Sequence, residues 1–568
     1  MNTITDAYKK VPLMFQAQTS GRCQLNYIVD LRKSDRKQQD VEMWADQWTE
    51  KAETQVPEFP PEVQSKTYQL SWRFVTNGGQ DDGIIRPVIG AKGIPYYPGS
   101  SMKGAFRQAC TALHPELVAE YCGDADNPGI LRFHGGYPTS DRWQENLVDL
   151  VHPQQGWQVK TPNTKSRPPG ESAFALVSLY QPEFNFGISQ NSFSDRNLSD
   201  PDWQTIWEIW QQAISSGLGC RVSAGYGQPT QQKGKIIFRA YLEGQGIAPT
   251  VIGGDSEFRP NMFKASTRGH ALRIFGGLTD AKTADRLVEN LFGGVTDGGT
   301  HGLLAMNWKN TIDPILEEFS DGYDEPTYRV KGILRWLQTQ PLPADKAKSL
   351  IKLIKFLMRF ALLLGGFGKS WRRVDHRLFY EEYYEGRTKK PLIGCHWQWR
   401  DKSLDRFNLL TNPKMIGGFM GAVQQAAKEW MKQEGYSPQP QKHAQWREAW
   451  NKDKVQVWAR VAEDKENSLA VPWFHGPYRP AIREIQQAEG SIYRTDLTGQ
   501  ISQISRIWHR MYPLARSLKN PEPGKPTHKY PPNPKYLELL TIFPDGSPVC
   551  DDFLQFLRSD SSGFTQYW

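Results

Sequence analysis

The chain has few cysteines, and none of them is arranged as a metal or disulfide framework would require. No two of the six cysteines among 568 residues form a Cys-x-x-Cys pair. Cys395 is followed by His396, but no second pair of ligands follows at a metal spacing. This pattern excludes a zinc ribbon and a disulfide scaffold, and reduced intracellular thiols are expected.

Long apolar runs are also missing. Residues 1–10 lack the apolar core of a signal peptide. The longest apolar helix candidate contains Lys352, Lys355 and Arg359, so it does not have the composition of a membrane span. The sequence therefore predicts a soluble cytoplasmic protein that does not associate with a membrane.

The common nucleotide and hydrolase motifs are absent or incomplete. A Gly-Lys-Ser sequence begins at Gly368, but Leu363 occupies the position where a phosphate-binding loop needs its first glycine. Gly217 and Gly219 begin a dinucleotide fingerprint whose third glycine position is Val222. There is no Gly-x-Ser-x-Gly and no His-Glu-x-x-His sequence. These observations argue against a nucleotide triphosphatase, a dinucleotide-dependent enzyme and a zinc protease.

What is present is a long, loop-rich and aromatic chain. Its 39 prolines and 49 glycines indicate many loops, and its 20 tryptophans argue against widespread disorder. The length predicts two to four domains. The net charge is only +8, so the placement of the cations matters more than their number.

The most informative sequence is Pro-Gly-Ser-Ser-Met-Lys-Gly-Ala-Phe-Arg at residues 98–107. It predicts a turn followed by a helix, with Ser100 or Ser101 as the N-cap. Lys103 and Arg107 are four residues apart and would share one helical face, near amides that have no intrahelical acceptor. Hydroxyls, amides and two cations at a helix N-terminus form an anion site that suits a phosphodiester. The alternative is an ordinary helix with a solvated basic face.

These ten residues resemble the signature of the RAMP (repeat-associated) superfamily, whose members form the RNA-binding backbone of type III CRISPR effector complexes. The resemblance does not select a subfamily. It implies an α+β fold built from ferredoxin-like (RRM-like) modules. It also implies three kinds of partner: CRISPR guide RNA, target RNA and the other subunits of such a complex.

The second half of the chain repeats the order of the first. Residues 263–273 correspond to the signature, with Ser266 or Thr267 as the cap and with Arg268 and Arg273 in place of Lys103 and Arg107. Glycine-rich loops follow at residues 217–227 and 365–373. We therefore expect two tandem RAMP domains, residues 1–245 and 246–568, the second with a helical insertion at about 380–470. A separate third helical domain is the alternative for that insertion.

The residue patterns also predict individual elements. In the first half we expect strands at residues 68–75, 131–138 and 234–243 and a helix at 203–215. After residue 380 we expect helices at 417–434 and 441–466, followed by strands at 471–476 and 500–513 that would complete the sheet of the second domain.

Cations are concentrated next to the second glycine-rich loop. Residues 345–373 contain eight cations and one acid, and four of the cations form a helical stripe: Lys348, Lys352, Lys355 and Arg359. A stripe leading into a loop suits phosphate tracking, although a solvated face fits the pattern too. We expect Tyr226 and Trp371 to stack on bases. The complete set of expected RNA contacts is Ser100, Ser101, Lys103, Arg107, Arg221, Tyr226, Arg268, Arg273, Lys369, Trp371, Arg372 and Arg373.

Whether the chain is an enzyme stays open on the sequence. In superfamily members that cut target RNA, a loop like residues 77–86 presents a catalytic aspartate, and Asp81 and Asp82 match it by position. The expected cofactor is then a divalent metal ion such as Mg²⁺. Asp-Asp-Gly is also ordinary turn chemistry. The competing functions are a metal-independent endonuclease that processes CRISPR precursor RNA with His134 and His152, and a purely structural scaffold.

Overall fold

The computed structural model describes residues 40–76, 80–81, 84–151, 156–161, 174–192, 196–251, 256–294, 299–317, 326–379, 394–400, 402–407, 412–479, 490–499, 503–518 and 527–568. These residues form helices and small antiparallel sheets, as expected of an α+β protein. The helices are α1 (Asp40–Lys51), α2 (Gly99–Leu113), α3 (Val118–Cys122), α4 (Trp157–Lys160), α5 (Asp200–Ser215), α6 (Asn261–Gly276), α7 (Ala281–Phe292), α8 (Ala344–Phe360), α9 (Lys402–Phe407), α10 (Met415–Gln433), α11 (Ala470–His475) and α12 (Pro548–Leu557). The strands are β1 (Gln64–Gln69), β2 (Arg73–Phe74), β3 (Gln80–Asp81), β4 (Ile84–Ile85), β5 (Leu131–Pro138), β6 (Val148–Val151), β7 (Phe174–Val177), β8 (Leu179–Tyr180), β9 (Glu183–Gln190), β10 (Ile236–Ile247), β11 (Leu304–Glu317), β12 (Thr327–Gln338), β13 (His396–Trp399), β14 (Gln456–Ala462), β15 (Ile507–Pro513), β16 (Arg516–Ser517), β17 (His528–Lys529), β18 (Tyr536–Ile542) and β19 (Thr565–Gln566).

One strand order occurs three times along the chain. The second sheet has the order β11-β12-β10-β13 and the third has the order β15-β18-β14-β19. In both, the strands are arranged as second, third, first and fourth in the sequence, and all neighbours are antiparallel. The first sheet, β5-β9-β1, follows the same order, with a bridge between Leu70 and Pro229 at the fourth position. Each of these three sheets, together with the helices between its strands, is called a group below. In each group a helix follows the first strand and another follows the third.

Within the first group, two of the predicted elements are confirmed and one is interrupted. The strand expected at residues 131–138 is confirmed as β5, and the helix expected at 203–215 is confirmed as α5. This helix begins slightly earlier because Ser199 and Asp202 form a capping box. The strand expected at 68–75 is interrupted, since β1 ends at Gln69 and β2 begins at Arg73.

The strand expected to close the first half belongs to the second sheet. β10 (Ile236–Ile247) pairs with β12 on one side and with β13 on the other. The expected boundary after residue 245 therefore falls inside the first strand of the second group.

The predicted insertion at residues 380–470 is only partly helical. It contains α9 and α10, but also β13, which completes the second sheet, and β14, which begins the third. The helix expected at residues 441–466 is wrong, because β14 lies there, and the strand expected at 471–476 is α11. The expectation that residues after 470 complete the second sheet is also wrong, because their strands β15, β18 and β19 form the third sheet together with β14.

Buried ion pairs attach the segment after β10 to the first group. Arg73 Nη2 lies 2.6 Å from Glu257 Oε2, and Trp72 Nε1 donates to the same carboxylate at 2.6 Å. Arg259 pairs with Asp149, and all four charged side chains are almost fully buried. Because a buried charge is tolerated only with its partner, these pairs fix the first group against the second.

Candidate nucleic-acid interface

The signature helix α2 begins one residue before the expected cap. Pro98 is the N-cap residue, and no side chain caps the helix. Ser100 and Ser101 lie in the first turn instead of at the cap position. Gly99 is required there, because a Cβ on it would overlap the backbone oxygen of Phe133. The sequence therefore starts the helix in direct contact with β5.

Lys103 and Arg107 of α2 are exposed and lie one turn apart. Arg107 Nη1 donates to the carbonyl oxygen of Gly123 at 3.3 Å. The amides of the first helical turn have no intrahelical acceptor, and Ser100 beside them is exposed. Hydroxyl and amide donors thus lie at the start of this helix, with Lys103 in its second turn and Arg107 one turn further on. Such donors followed by two exposed cations are an arrangement that can hold a phosphate.

Helix α6 carries the matching pair of cations, but in a different register from the one expected. Arg268 Nη1 donates to the carbonyl oxygen of Gly293 at 2.8 Å, the same relationship that Arg107 has with Gly123. One turn earlier, Lys264 occupies the place of Lys103. The pairing of Arg268 and Arg273 with the signature cations is therefore wrong by about one turn.

The caps predicted for α6 are also wrong. The helix begins at Asn261, so Ser266 and Thr267 lie inside it. Thr267 is buried, and its hydroxyl donates to the carbonyl oxygen of Phe263 at 2.6 Å, which satisfies it within the helix.

Lys264 connects the two groups. Its Nζ donates to the hydroxyl of Ser223, in the first glycine-rich loop, at 2.6 Å. Burial, followed by the charges of Arg268 and Arg221, lowers the pKa of Lys264 to about 7. Arg221, Ser223, Lys264 and Arg268 therefore converge where the loop of the first group lies over the helix of the second.

The first glycine-rich loop is tightly folded. Gly219 has a φ of +74°, and a Cβ on it would overlap the backbone oxygen of Val75. Tyr226 is buried, with its ring centroid 4.6 Å from that of Trp72 in a tilted arrangement, and its hydroxyl donates to Asp149 at 2.6 Å. The assumption that a loop residue would be exposed fails for Tyr226, and we leave it out of the RNA surface.

The second glycine-rich loop has an exposed part and a buried part. Lys369 is exposed and Arg373 is half-buried. Trp371, by contrast, has the guanidinium groups of Arg372 and Arg273 within 4.5 and 5.1 Å of its ring centroid. Its ring also meets Trp508 at 4.9 Å, so the faces expected to stack on bases are occupied by the protein.

Arg273 and Arg372 are bound internally. Both donate to the buried carboxylate of Glu448, from Nε of Arg273 at 2.8 Å and from Nη2 of Arg372 at 2.9 Å. Arg447 donates to the same carboxylate at 2.6 Å. Burial acts to raise the pKa of Glu448, but Arg372, Arg273 and Arg447 outweigh it and lower the pKa to about 2. We therefore assign Arg273 and Arg372 a structural role.

The predicted basic stripe on α8 faces another helix. Lys352 Nζ lies 2.7 Å from Glu429 of α10, and Lys346 Nζ lies 2.6 Å from Glu434. Arg359 covers the ring of Phe419 at 5.2 Å. Two of the four cations of the stripe, Lys352 and Arg359, thus contact α10, whereas Lys348 is exposed and lies 3.6 Å from Asp345 of its own helix. A sequence pattern alone could not distinguish this helix contact from a nucleic-acid surface.

The candidate catalytic groups are only partly within the described residues. The backbone of Asp81 lies in β3, where it pairs with Ile84 of β4. Its side chain and all of Asp82 lie outside the described residues, as does His152. His134 lies 2.8 Å from the Ser189 hydroxyl through Nε2, and burial, then the charge of Arg132, lowers its pKa. Among the side chains that the structure describes, no three potential metal ligands converge.

Comparison with known proteins identifies one part of the chain. Residues 79–229, which include the signature helix and the first glycine-rich loop, match the model of the RAMP superfamily. A chain of a cryo-EM structure of the type III-B Cmr-beta complex bound to cognate target RNA is 16% identical. The similarity covers 40% of this chain and 74% of that one, with a TM-score of 0.22. No curated protein matches the sequence. Among the described helices, none is both long and apolar enough to cross a bilayer.

Proposed function

From the membership of residues 79–229 in the RAMP superfamily, we propose that this chain is a guide-RNA-binding backbone subunit of a type III CRISPR effector complex. It would act in the cytoplasm in antiviral defence, together with target RNA and neighbouring subunits. The observation that carries the proposal is the repeated pair of cations on α2 and α6, with Arg107 and Arg268 in equivalent hydrogen bonds. Both cations of α2 are exposed, whereas on α6 Lys264 is buried against Ser223 and only Arg268 is partly exposed. The repeat would therefore supply a two-cation phosphate site on α2 and a single cation on α6.

The proposed fold of each group is ferredoxin-like. The order second, third, first and fourth strand, with a helix after the first and third strands, supports this assignment for all three groups. The chain would then contain a third module, at residues 456–568, in addition to the two that the signatures indicate. This third module lacks a Pro-Gly-Ser-Ser signature, so we assign it no guide contact.

We assign the guide contacts to the accessible members of the predicted set. On α2 these are Ser100, Ser101, Lys103 and Arg107, and at the junction of the two groups they are Arg221 and Arg268. In the second glycine-rich loop, the assigned guide contacts are Lys369 and Arg373. Because these groups contact phosphates and not base edges, guide binding would be independent of sequence, and guide–target pairing would provide specificity.

The test is binding of a guide RNA to the purified full-length protein at several salt concentrations. The double variant Lys103→Ala/Arg107→Ala should bind more weakly and should show a shallower dependence of affinity on salt, by about 0.7 per lost contact in log–log slope. The matched control Lys432→Ala/Lys442→Ala removes two exposed cations elsewhere. Equal slopes for the wild type and the α2 variant would contradict the proposal.

Target cleavage by Asp81 or Asp82 with a divalent metal ion is the catalytic extension of this proposal. Carboxylates in a loop next to bound RNA could hold Mg²⁺ close to the scissile phosphate. Asp81→Ala should leave RNA binding intact and abolish cutting of target RNA. The alternative, a metal-independent processing endonuclease, has less support because Ser189 already engages Nε2 of His134. Cleavage of precursor repeat RNA in the presence of a chelator would favour that alternative.

A further inference from the structure

One face of the second sheet points away from the helices that cover the other. Along β10, Phe238, Ala240 and Leu242 are buried in the core shared with α6 and α8. The alternate residues of the strand point to the opposite face because side chains alternate across a strand. This outer face therefore carries Arg239, Tyr241, Glu243 and Gln245.

The neighbouring strands place cations beside these residues. In β12, Lys331 lies opposite Glu243 and Arg329 lies opposite Gln245. Arg335 of β12 lies opposite Arg239, and Arg400 follows β13 on the other side. The six cations of this outer face are Arg239, Lys309, Arg329, Lys331, Arg335 and Arg400.

The cations of the outer face exceed its acids. Within these rows of described residues Glu243 is the single carboxylate, and it already contacts Arg400 and lies 3.4 Å from Lys331. Arg239, Lys309, Arg329 and Lys331 are exposed. Outside these rows, Asp313 and Glu317 of β11 and Asp375, which accepts from Gln245, reduce the excess of positive charge. The six cations still outnumber these described acids, and a basic open sheet face attracts a polyanion.

A cavity of about 250 Å³ lies at one end of the same face. It is formed where the second sheet meets the third, and residues from both line it. The sheet side includes Glu243, Gln245, Arg329, His396 and Gln398, and the other side includes Phe379 and Tyr536. The rings of Phe379 and Tyr536 are 5.9 Å apart at an angle of 87°.

The chemistry of this cavity suits a nucleobase. Phe379 is buried against Tyr536 and His396, so the half-buried ring of Tyr536 is the aromatic surface available to a base. The amide side chains of Gln245 and Gln398 can pair with a base edge. Gln245 already donates to Asp375 at 3.0 Å, which orients its amide. His396 is more than nine-tenths buried and its Nδ1 has no hydrogen-bond partner among the described residues. Burial lowers the pKa of His396 to about 4, so the ring is neutral and offers one donor and one acceptor.

We propose that the outer face of the second sheet binds a single-stranded RNA segment, with the backbone along the cations and one unstacked base in the cavity. A single strand is favoured because a base in a duplex cannot leave its stack without losing its pair. The inference rests on RNA being the ligand of the proposed function. It does not depend on α2 or on the first glycine-rich loop. The second glycine-rich loop borders the cavity, because the amide of Cys395 donates to the carbonyl oxygen of Arg373 at 3.2 Å.

The first experiment measures binding of a labelled single-stranded RNA of about 12 nucleotides to the full-length protein over a salt series. The variant Lys309→Ala/Arg329→Ala/Lys331→Ala should weaken binding about tenfold or more and should lower the log–log salt slope by about 2. The matched control Lys282→Ala/Lys432→Ala/Lys442→Ala removes three exposed cations from helices and a loop. An equal loss in both variants would overturn the inference, as would no loss in the first.

The second experiment locates the base with photoreactive 4-thiouridine RNA and peptide mapping. Crosslinks to residues 376–379, 394–400 or Tyr536 are expected. Crosslinks confined to α2 and the two glycine-rich loops would overturn this inference and leave the proposed guide contacts standing. If the Lys103→Ala/Arg107→Ala variant binds the guide normally while the sheet-face variant does not, the guide contacts fail and this inference survives.

Discussion

Arg107 and Arg268 make the same hydrogen bond in two different parts of the chain. Each donates to the carbonyl oxygen of the glycine that ends the next helix, Gly123 at 3.3 Å and Gly293 at 2.8 Å. Both glycines have a positive φ, +79° and +84°. The two sites differ in burial, because Arg107 is exposed while Arg268 is half-buried.

This difference predicts that the two arginines contribute unequally to the stability of the folded protein. Arg268→Ala should lower the free energy of unfolding by about 1.5–3 kcal/mol, since a half-buried charged donor and two carbonyl oxygens lose their partners. Arg107→Ala should change it by less than about 1 kcal/mol, because water replaces the exposed group. Denaturant unfolding of both variants measures these free energies. A larger loss of stability for Arg107→Ala than for Arg268→Ala would contradict the difference in burial from which the prediction follows.

Lys264 predicts a pH dependence of stability. Its pKa in the folded protein is about 7, below its ordinary value in the unfolded chain. Between these two values the unfolded chain binds one more proton than the folded protein, so stability should rise with pH above about 7. The contribution cannot exceed about 1.4 kcal/mol per pH unit. Lys264→Met should remove it, which unfolding at pH 7 and pH 9 would show. An identical pH response of this variant and the wild type would exclude Lys264 as its source.

Two glycines of α2 provide a matched pair. A Cβ on Gly99 would overlap the backbone of Phe133, whereas a Cβ on Gly104 would meet no atom within 4 Å. Gly104→Ala should stabilise the protein by about 0.5–1 kcal/mol, because alanine favours the helix. Gly99→Ala should destabilise it, because α2 or β5 must shift. Thermal unfolding of both variants tests this, and a stabilising Gly99→Ala would show that α2 does not start against β5.

The buried carboxylate of Glu448 predicts a strong effect of a small change. Glu448→Gln should destabilise the protein by about 3–5 kcal/mol, since Arg273, Arg372 and Arg447 lose the carboxylate with which all three pair. In the wild type, the depressed pKa means that this stabilisation is present above the ordinary carboxylate range and is lost as pH falls towards 2. Acid unfolding of the wild type and the variant should therefore converge at low pH. Parallel curves would contradict the assignment.

Several local features followed from the sequence because local rules govern them. The residue pattern at 203–215 was sufficient to predict α5, and the signature placed the N-cap of α2 within two or three residues of the observed one. The register of the second signature was not accessible, because Arg268 and Arg273 are both arginines on one helix. Only the carbonyl of Gly293 identifies which of them matches Arg107.

The sequence by itself determined the α+β class, the signature helix and its exposed cations, since caps, periodicity and spacing act over a few residues. The tertiary structure alone decided which cations remain available. Arg273 and Arg372 are neutralised by Glu448, and Lys352 by Glu429, each through a partner more than 70 residues away in the chain. The sequence shows which side chains carry a charge. Long-range folding decides which partner each charge has, and therefore whether the charge is available to a ligand.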